Sequence, residues 1–307
     1  LKLADDKRAQ APIQSQGELR ADINASVTTF DIINAVVSDY DAAGTVRINN
    51  EVMTYASITD NTTYLTFNSV VRATDNTEAQ SHSAEDNVQL CLRYENTFSW
   101  QIVADLLENY GNINSSYIPI ADWNTEGNTW LSSFLINDTL ITEPIGVNKL
   151  IGEITRDCLF YIWWDERDLE IKMRAIRPAT GTVPSFTDDY TIIADSGIVK
   201  VQPDERFSQL WIYYNRVDPT ESLGREQNYN TVRINVDLEA ESVDQYGESR
   251  IEKFFTRWLT SVAQAATLGG RMLNKYRDNP RFFTIQADAK DRDTWTGDIV
   301  DLNSCLL

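Results

Sequence analysis

The chain has 307 residues, 42% apolar and 10% aromatic, with 13 glycines and 8 prolines. This composition excludes a disordered, collagen-like or low-complexity chain and allows two or three domains around a sizeable core. A net charge of -19 excludes a protein that grips nucleic acid through clustered Lys and Arg. It is compatible with an acidic wall that repels DNA, and equally with a surface kept soluble by its charge.

The opening, Leu1 with Lys2 and Asp5-Asp6, lacks the pattern of a signal peptide, and the chain is expected to be a piece of a longer polypeptide. Residues 1–43 read as an entry segment that completes a domain. They hold a strand end at Leu1-Lys2-Leu3, a loop around Ala11-Pro12 and Gly17, and a β-branched run at residues 27–33. Residues 44–94 alternate at period two in short stretches. Thr45-Val46-Arg47-Ile48 leads into the turn Asn49-Asn50, then Glu51-Val52-Met53-Thr54-Tyr55 follows. After Asp60-Asn61-Thr62 comes Tyr64-Leu65-Thr66-Phe67, and residues 87–92 close the block. The pattern predicts a small antiparallel barrel or sandwich.

The period changes at about Ser99. Trp100, Val103, Ala104, Leu106, Leu107 and Tyr110 share a helical stripe that Gly111 ends. Residues 123–131 and Val147 to Leu159 suggest two more helices. The tight pair Phe160-Tyr161-Ile162-Trp163-Trp164 and Leu169-Glu170-Ile171-Lys172-Met173-Arg174 suggests a hairpin, so residues 95–197 read as a central α+β domain. A Pro/Thr/Gly linker at residues 177–184 leads on to residues 198–307. There, strong strands at residues 209–214 and 231–236, one long helix at 248–276, and strands at 281–287 and 298–302 predict a tube-type β-barrel with a flanking helix. The predicted fold class is therefore α+β, mainly β. No apolar run approaches the ~20 residues that span a bilayer.

Chemistry-bearing patterns are few. His82 is the single histidine, so a Ser-His-Asp or Cys-His site has to use it, with Ser81, Ser83 and Asp86 as neighbours. No GxSxG accompanies it, and it reads as a loop histidine between strands. Asp165 and Glu166 beside Trp163-Trp164 are the best carboxylate pair for glycoside chemistry, but Asp165-Glu166-Arg167-Asp168 reads first as a hairpin turn. Asp288, Asp291, Asp293 and Asp298 cluster without an EF-hand pattern and read as a solvated turn. Gly269-Gly270 lies inside a helical pattern and makes no phosphate loop. Cys91, Cys158 and Cys305 are too far apart for a zinc motif and read as buried thiols. No catalytic, cofactor-binding or metal-binding residue is assigned, no cofactor is expected, and the chain reads as a non-enzyme.

Several stretches, in order, resemble the tail-hub or tail-tip proteins of long-tailed bacteriophages. The opening is Leu3-Ala4-Asp5-Asp6-Lys7-Arg8-Ala9 with Ala11-Pro12 and Gly17-Glu18-Leu19. Residues 44–55 follow the pattern G-x-(V/L)-R-I-x-x-E-x-(I/M)-x-Y, continued by Arg72, His82 and Val88-Gln89-Leu90. Where that family carries R-G and G-D-x-V, this chain has Arg72-Ala73 and Asp86-Asn87-Val88. Residues 102–107 with Tyr110-Gly111, then Trp123, residues 141–144 and Trp163-Trp164-Asp165, are similar to the family's central domain. Residues 209–214, 271–277 and 295–298 match its last block.

The resemblance implies a structural virion protein, the central hub of a tail tip, usually trimeric. Such a hub joins the tail tube or distal tail protein above to tip or fibre proteins below. It implies a virion protein assembled in the host cytoplasm, with DNA passing through its channel without specific binding, and no catalytic residues. The alternative reading is a carbohydrate-binding adhesin module of the same tip, which exposed aromatics in a groove would favour.

Overall fold

The computed structural model describes residues 9–288 and 294–304. Short strands open the chain: β1 (Gln10–Ala11), β2 (Glu18–Leu19) and β3 (Phe30–Ile33). Then come β4 (Gly44–Ile48), β5 (Glu51–Tyr55), β6 (Ser57–Asp60), β7 (Leu65–Asn68) and β8 (Gln89–Leu90). Two sheets form, ordered β2-β3-β7-β6 and β5-β4-β8. They enclose one core, because alternate residues of β3, β4, β5 and β7 are apolar and point the same way. Phe67 sits at its centre, stacked on Phe30 at 5.2 Å and edge-on to Tyr55 at 4.7 Å. Strands β2 and β3 thus join the small β module by hydrogen bonding, so part of residues 1–43 packs with residues 44–94.

The middle of the chain holds β9 (Leu92–Phe98), α1 (Ser99–Asp105) running into a π-turn at Leu106–Tyr110, α2 (Ile120–Trp130), and β10 (Leu135–Ile141). It continues with β11 (Ile145–Gly146), α3 (Val147–Asp157), β12 (Phe160–Asp165) and β13 (Glu170–Ala175). Strands β9 and β10 pair antiparallel across the two intervening helices. Helix α3 buries Val147, Leu150, Ile151 and Ile154 along one stripe, as its i, i+3, i+4 spacing dictates. Strands β12 and β13 form the expected hairpin in register Phe160 to Ala175.

The last part holds β14 (Ser185–Thr187), β15 (Ile198–Val201), β16 (Gln209–Arg216), β17 (Tyr229–Val236) and β18 (Ile251–Phe255). After α4 (Val262–Tyr276) come β19 (Arg281–Thr284) and β20 (Asp301–Asn303). The main sheet is ordered β17-β16-β18, with β18 parallel to β16. A ribbon pairs β15 with β19, and β14 lies beside β20. One cluster of buried side chains runs from Trp100, Trp123 and Leu150 to Leu210, Ile212, Trp258 and Leu268, so residues on both sides of position 198 share a core.

Two expectations for this part are corrected. The described strands close no barrel; the main sheet is open, with β17 and β18 as free edges. The long helix expected at residues 248–276 is a strand, a loop and a shorter helix. Ile251-Glu252-Lys253-Phe254-Phe255 is a β-branched and aromatic run, and its pairing with β16 outweighs a helical stripe that Phe254, Trp258 and Val262 mimic by their spacing of four. Helix α4 starts where a capping box allows it. Ser261 Oγ accepts the Gln264 N–H at 3.3 Å, and Gln264 Oε1 accepts the Ser261 N–H at 3.0 Å.

Candidate functional site

His82 lies in a buried node of the small β module. Glu51, fully buried on β5, accepts from Arg72 Nε and Nη2, both at 2.7 Å, from the Gln80 N–H at 2.9 Å and from the Ala73 N–H at 3.1 Å. His82 Nε2 lies 2.9 Å from Glu51 Oε2, so that nitrogen carries the proton and donates. Burial pushes the Glu51 carboxyl up, but the bonds from Arg72, Gln80 and His82 together outweigh it and hold the group below the usual glutamate value. Arg72 also donates to Asn24 O and Gln80 O, both at 2.6 Å. The node therefore ties β5, the loop after β7 and the segment near Asn24. Its imidazole faces a carboxylate on one side and Asp86 at 3.9 Å on the other. Ser81 and Ser83 make no bond to it; the Ser83 N–H goes to Asp86 instead. The node has the geometry of a clamp, not of a nucleophile with its base.

The remaining chemical candidates fall apart in space. Asp165 is buried at the end of β12, where Oδ1 caps the hairpin turn by accepting the N–H of Arg167 at 2.9 Å and of Asp168 at 3.0 Å. Glu166 is exposed beside it, and Trp164 turns outward to meet Tyr117 edge-on at 5.6 Å. Asp298 accepts the Trp295 N–H at 2.7 Å in a local turn, Asp288 is exposed, and Asp291 and Asp293 lie outside the described residues. No cluster of three metal-ligating side chains occurs among the described residues. Cys91 and Cys158 are buried free thiols, and burial pushes Cys91 up to about 12 and Cys158 well above its ordinary value; Cys305 lies outside the described residues. Gly269, inside α4, lies against Asn235 of β17, where a Cβ would collide with the asparagine side chain. It is a packing glycine.

The sequence reading did not single out the two faces of the β17-β16-β18 sheet. One face carries Leu210, Ile212, Tyr214 and Phe254, all buried against α4 and the central helices. Register places Val232, Ile234 and Val236 of β17 and Trp211 of β16 on the opposite face, together with Ile251 of β18. There Ile234 is 50% exposed and Ile251 49%. In the separate β15–β19 ribbon, Ile198 and Phe282 are exposed as well. A sheet with one face toward water normally turns polar residues outward; here Gln209 and Lys253 share the outer face with a row of exposed apolar side chains. Fully burying one Val or Ile side chain is worth ~1.5–3 kcal/mol, so the outer face holds a substantial unused gain. Both sheet edges also present unpaired backbone groups. Five-residue alternation in β17 was the available signal: Val232, Ile234 and Val236 already share a face in the sequence.

No family model matches this chain, and no curated protein matches it. Three similar solved structures are tail proteins, two of them from prophages. The tail protein from Neisseria meningitidis MC58 is 10% identical, with 95% of this chain and 83% of that one covered and a TM-score of 0.42. The prophage MuSo2 43 kDa tail protein from Shewanella oneidensis is 11% identical, with 89% and 78% covered and a TM-score of 0.35. The prophage tail protein gp18 from Listeria monocytogenes EGD-e is 13% identical, with 91% and 75% covered and a TM-score of 0.34. These likenesses are low in identity and in superposition. Among the described residues no helix is long and apolar enough to cross a membrane.

Proposed function

We propose that this chain is a structural protein of a bacteriophage tail, the central hub of the tail tip. It works as a homotrimer that joins the tail tube or distal tail protein to the tip or fibre proteins below. One observation carries the reading: the β17-β16-β18 sheet has an apolar outer face and two unpaired edges, which a ring of identical copies covers without leaving a free edge. The ordered resemblance of the chain's segments to tail-hub proteins supports the same role. In the ring the sheets surround a channel. The net charge of -19 suits a wall past which DNA slides without being held. The chain acts in the virion, at the tail tip, after assembly in the host cytoplasm.

The test is the mass of the full-length protein and its position in a tail map. Three copies around the channel at the tip support the reading. A chain that is monomeric inside the particle, or that lies outside the tip, overturns it. The adhesin alternative makes Trp164 a sugar platform, and Trp164→Ala then abolishes binding to host polysaccharide while leaving assembly intact.

A further inference from the structure

Arg216 ends β16 in an unusual setting for so acidic a chain. No carboxylate among the described residues forms an ion pair with it. Its Nη2 donates to the backbone oxygen of Glu221, and its Nε is buried with no hydrogen-bond partner. Burial lowers its pKa, and the neighbouring charge of Arg257 lowers it further. Arg216 and Arg257 both line one cavity of about 280 Å3. The other charged residues that line it have ion partners of their own. Arg257 Nε is 2.9 Å from Glu153, while Asp75 and Asp138 both turn to Arg93, at 2.6 and 2.9 Å. Asp218, whose Oδ1 accepts the N–H and hydroxyl of Thr220 at 2.8 and 2.7 Å, and Glu143 act on Arg216 only from beyond contact distance. A guanidinium withdrawn from water with no carboxylate in contact is costly unless something else neutralises it.

We propose that this cavity is a binding site for one small oxyanion, a carboxylate, sulfate or phosphate group, seated against Arg216 and Arg257. Asn215 and Asn230 line the same cavity, and an asparagine amide is a further donor for oxygens not facing a guanidinium. The cavity lies where three parts of the chain meet. Around it Asn76 Nδ2 donates to Val217 O at 3.0 Å, and Thr139 Oγ1 donates to Arg257 O at 2.7 Å. An anion there braces the small β module, β10 and the C-terminal sheet against one another. Its source is a free ion or an acidic side chain of a neighbouring tail protein; the chemistry is the same.

The experiment is thermal unfolding of the full chain titrated with sodium sulfate, phosphate or acetate, against chloride at matched ionic strength. At least one oxyanion raises Tm saturably, by ~2–5 °C at saturation, and Arg216→Gln removes the response while Arg225→Gln, an exposed arginine, keeps it. Asn230→Asp supplies a carboxylate from the wall itself, so it raises Tm without added oxyanion and blunts the titration. This second variant carries the test if Arg216→Gln does not fold. Two results overturn the site: no oxyanion-specific saturable rise, or an equal rise in Arg216→Gln and Asn230→Asp. A site still titratable in the assembled tail takes a free ion. A site titratable in the free chain and closed in the tail takes a partner's carboxylate.

Discussion

Arg72 holds Glu51 through two parallel hydrogen bonds of 2.7 Å, with 7% and 0% of the two side chains exposed. A bidentate guanidinium–carboxylate pair of this kind is cheap to keep and costly to break, because removing one partner leaves a buried charge alone. Arg72→Ala should therefore destabilise the chain by ~3–5 kcal/mol in urea unfolding. A loss under ~1 kcal/mol would mean the pair behaves as a surface salt bridge.

Two buried carboxyls predict opposite responses to acid. Glu51 sits below the ordinary glutamate value of 4.5 in the fold, so its stabilisation is complete above that pH and drains away as pH falls further. Glu51→Gln should flatten the acid limb of the stability profile below about pH 4.5. Asp157 is the reverse. Burial raises it from 3.8 to about 6, against the Arg156 charge 2.8 Å away and a bond with Thr256. Its contribution is full below 3.8 and lost as pH rises through about 6. Asp157→Asn should then stabilise the chain at pH 8, by on the order of 1–3 kcal/mol, and do little at pH 4. Equal effects of Asp157→Asn at both pH values would sink this assignment.

Ala73 occupies a backbone conformation with φ +54, and its N–H reaches Glu51. A Cβ is strained there by roughly 1–2 kcal/mol, and the phage pattern carries glycine at this place. Ala73→Gly should raise stability by ~0.5–1 kcal/mol after glycine's extra chain entropy is charged against it. The readout is the urea midpoint at unchanged slope. A fall in midpoint would show that the strain is absent.

Much of the local structure was legible because it is written in short-range pattern. The α3 stripe Val147, Leu150, Ile151 and Ile154 and the hairpin turn at Asp165 formed as read. What escaped was long-range. Strand β10 pairs with β9 across two helices, and nothing near Leu135 announces a partner at Phe98. Strand β18 was hidden by Phe254 and Trp258, whose spacing suits a helix as well as a strand and a buried loop residue. Glu51, Arg72 and His82 were noticed as members of a pattern, but their mutual bonds, across up to 31 residues, were not. Arg216 gave no signal at all, since its distinction is the absence of a carboxylate in three dimensions.

The outer face of the C-terminal sheet supplies the sharpest test of assembly. Ile234 lies mid-strand in β17, paired with Trp211 and flanked on the same face by Val232 and Val236. It is half exposed in the single chain, so Ile234→Glu costs the monomer little, within ~0.5 kcal/mol, as for most surface substitutions. In a ring the same position is covered. A carboxylate there is desolvated among apolar side chains with no partner, a penalty of several kcal/mol at each contact. Three symmetric contacts multiply the effect. Ile234→Glu should therefore leave monomer unfolding unchanged and abolish the trimer in native mass measurement, while Thr231→Glu, on the opposite face of the strand, leaves the trimer in place. If Ile234→Glu assembles as well as the unaltered chain, the apolar face is not a contact between copies, and the proposed ring loses the observation that carries it.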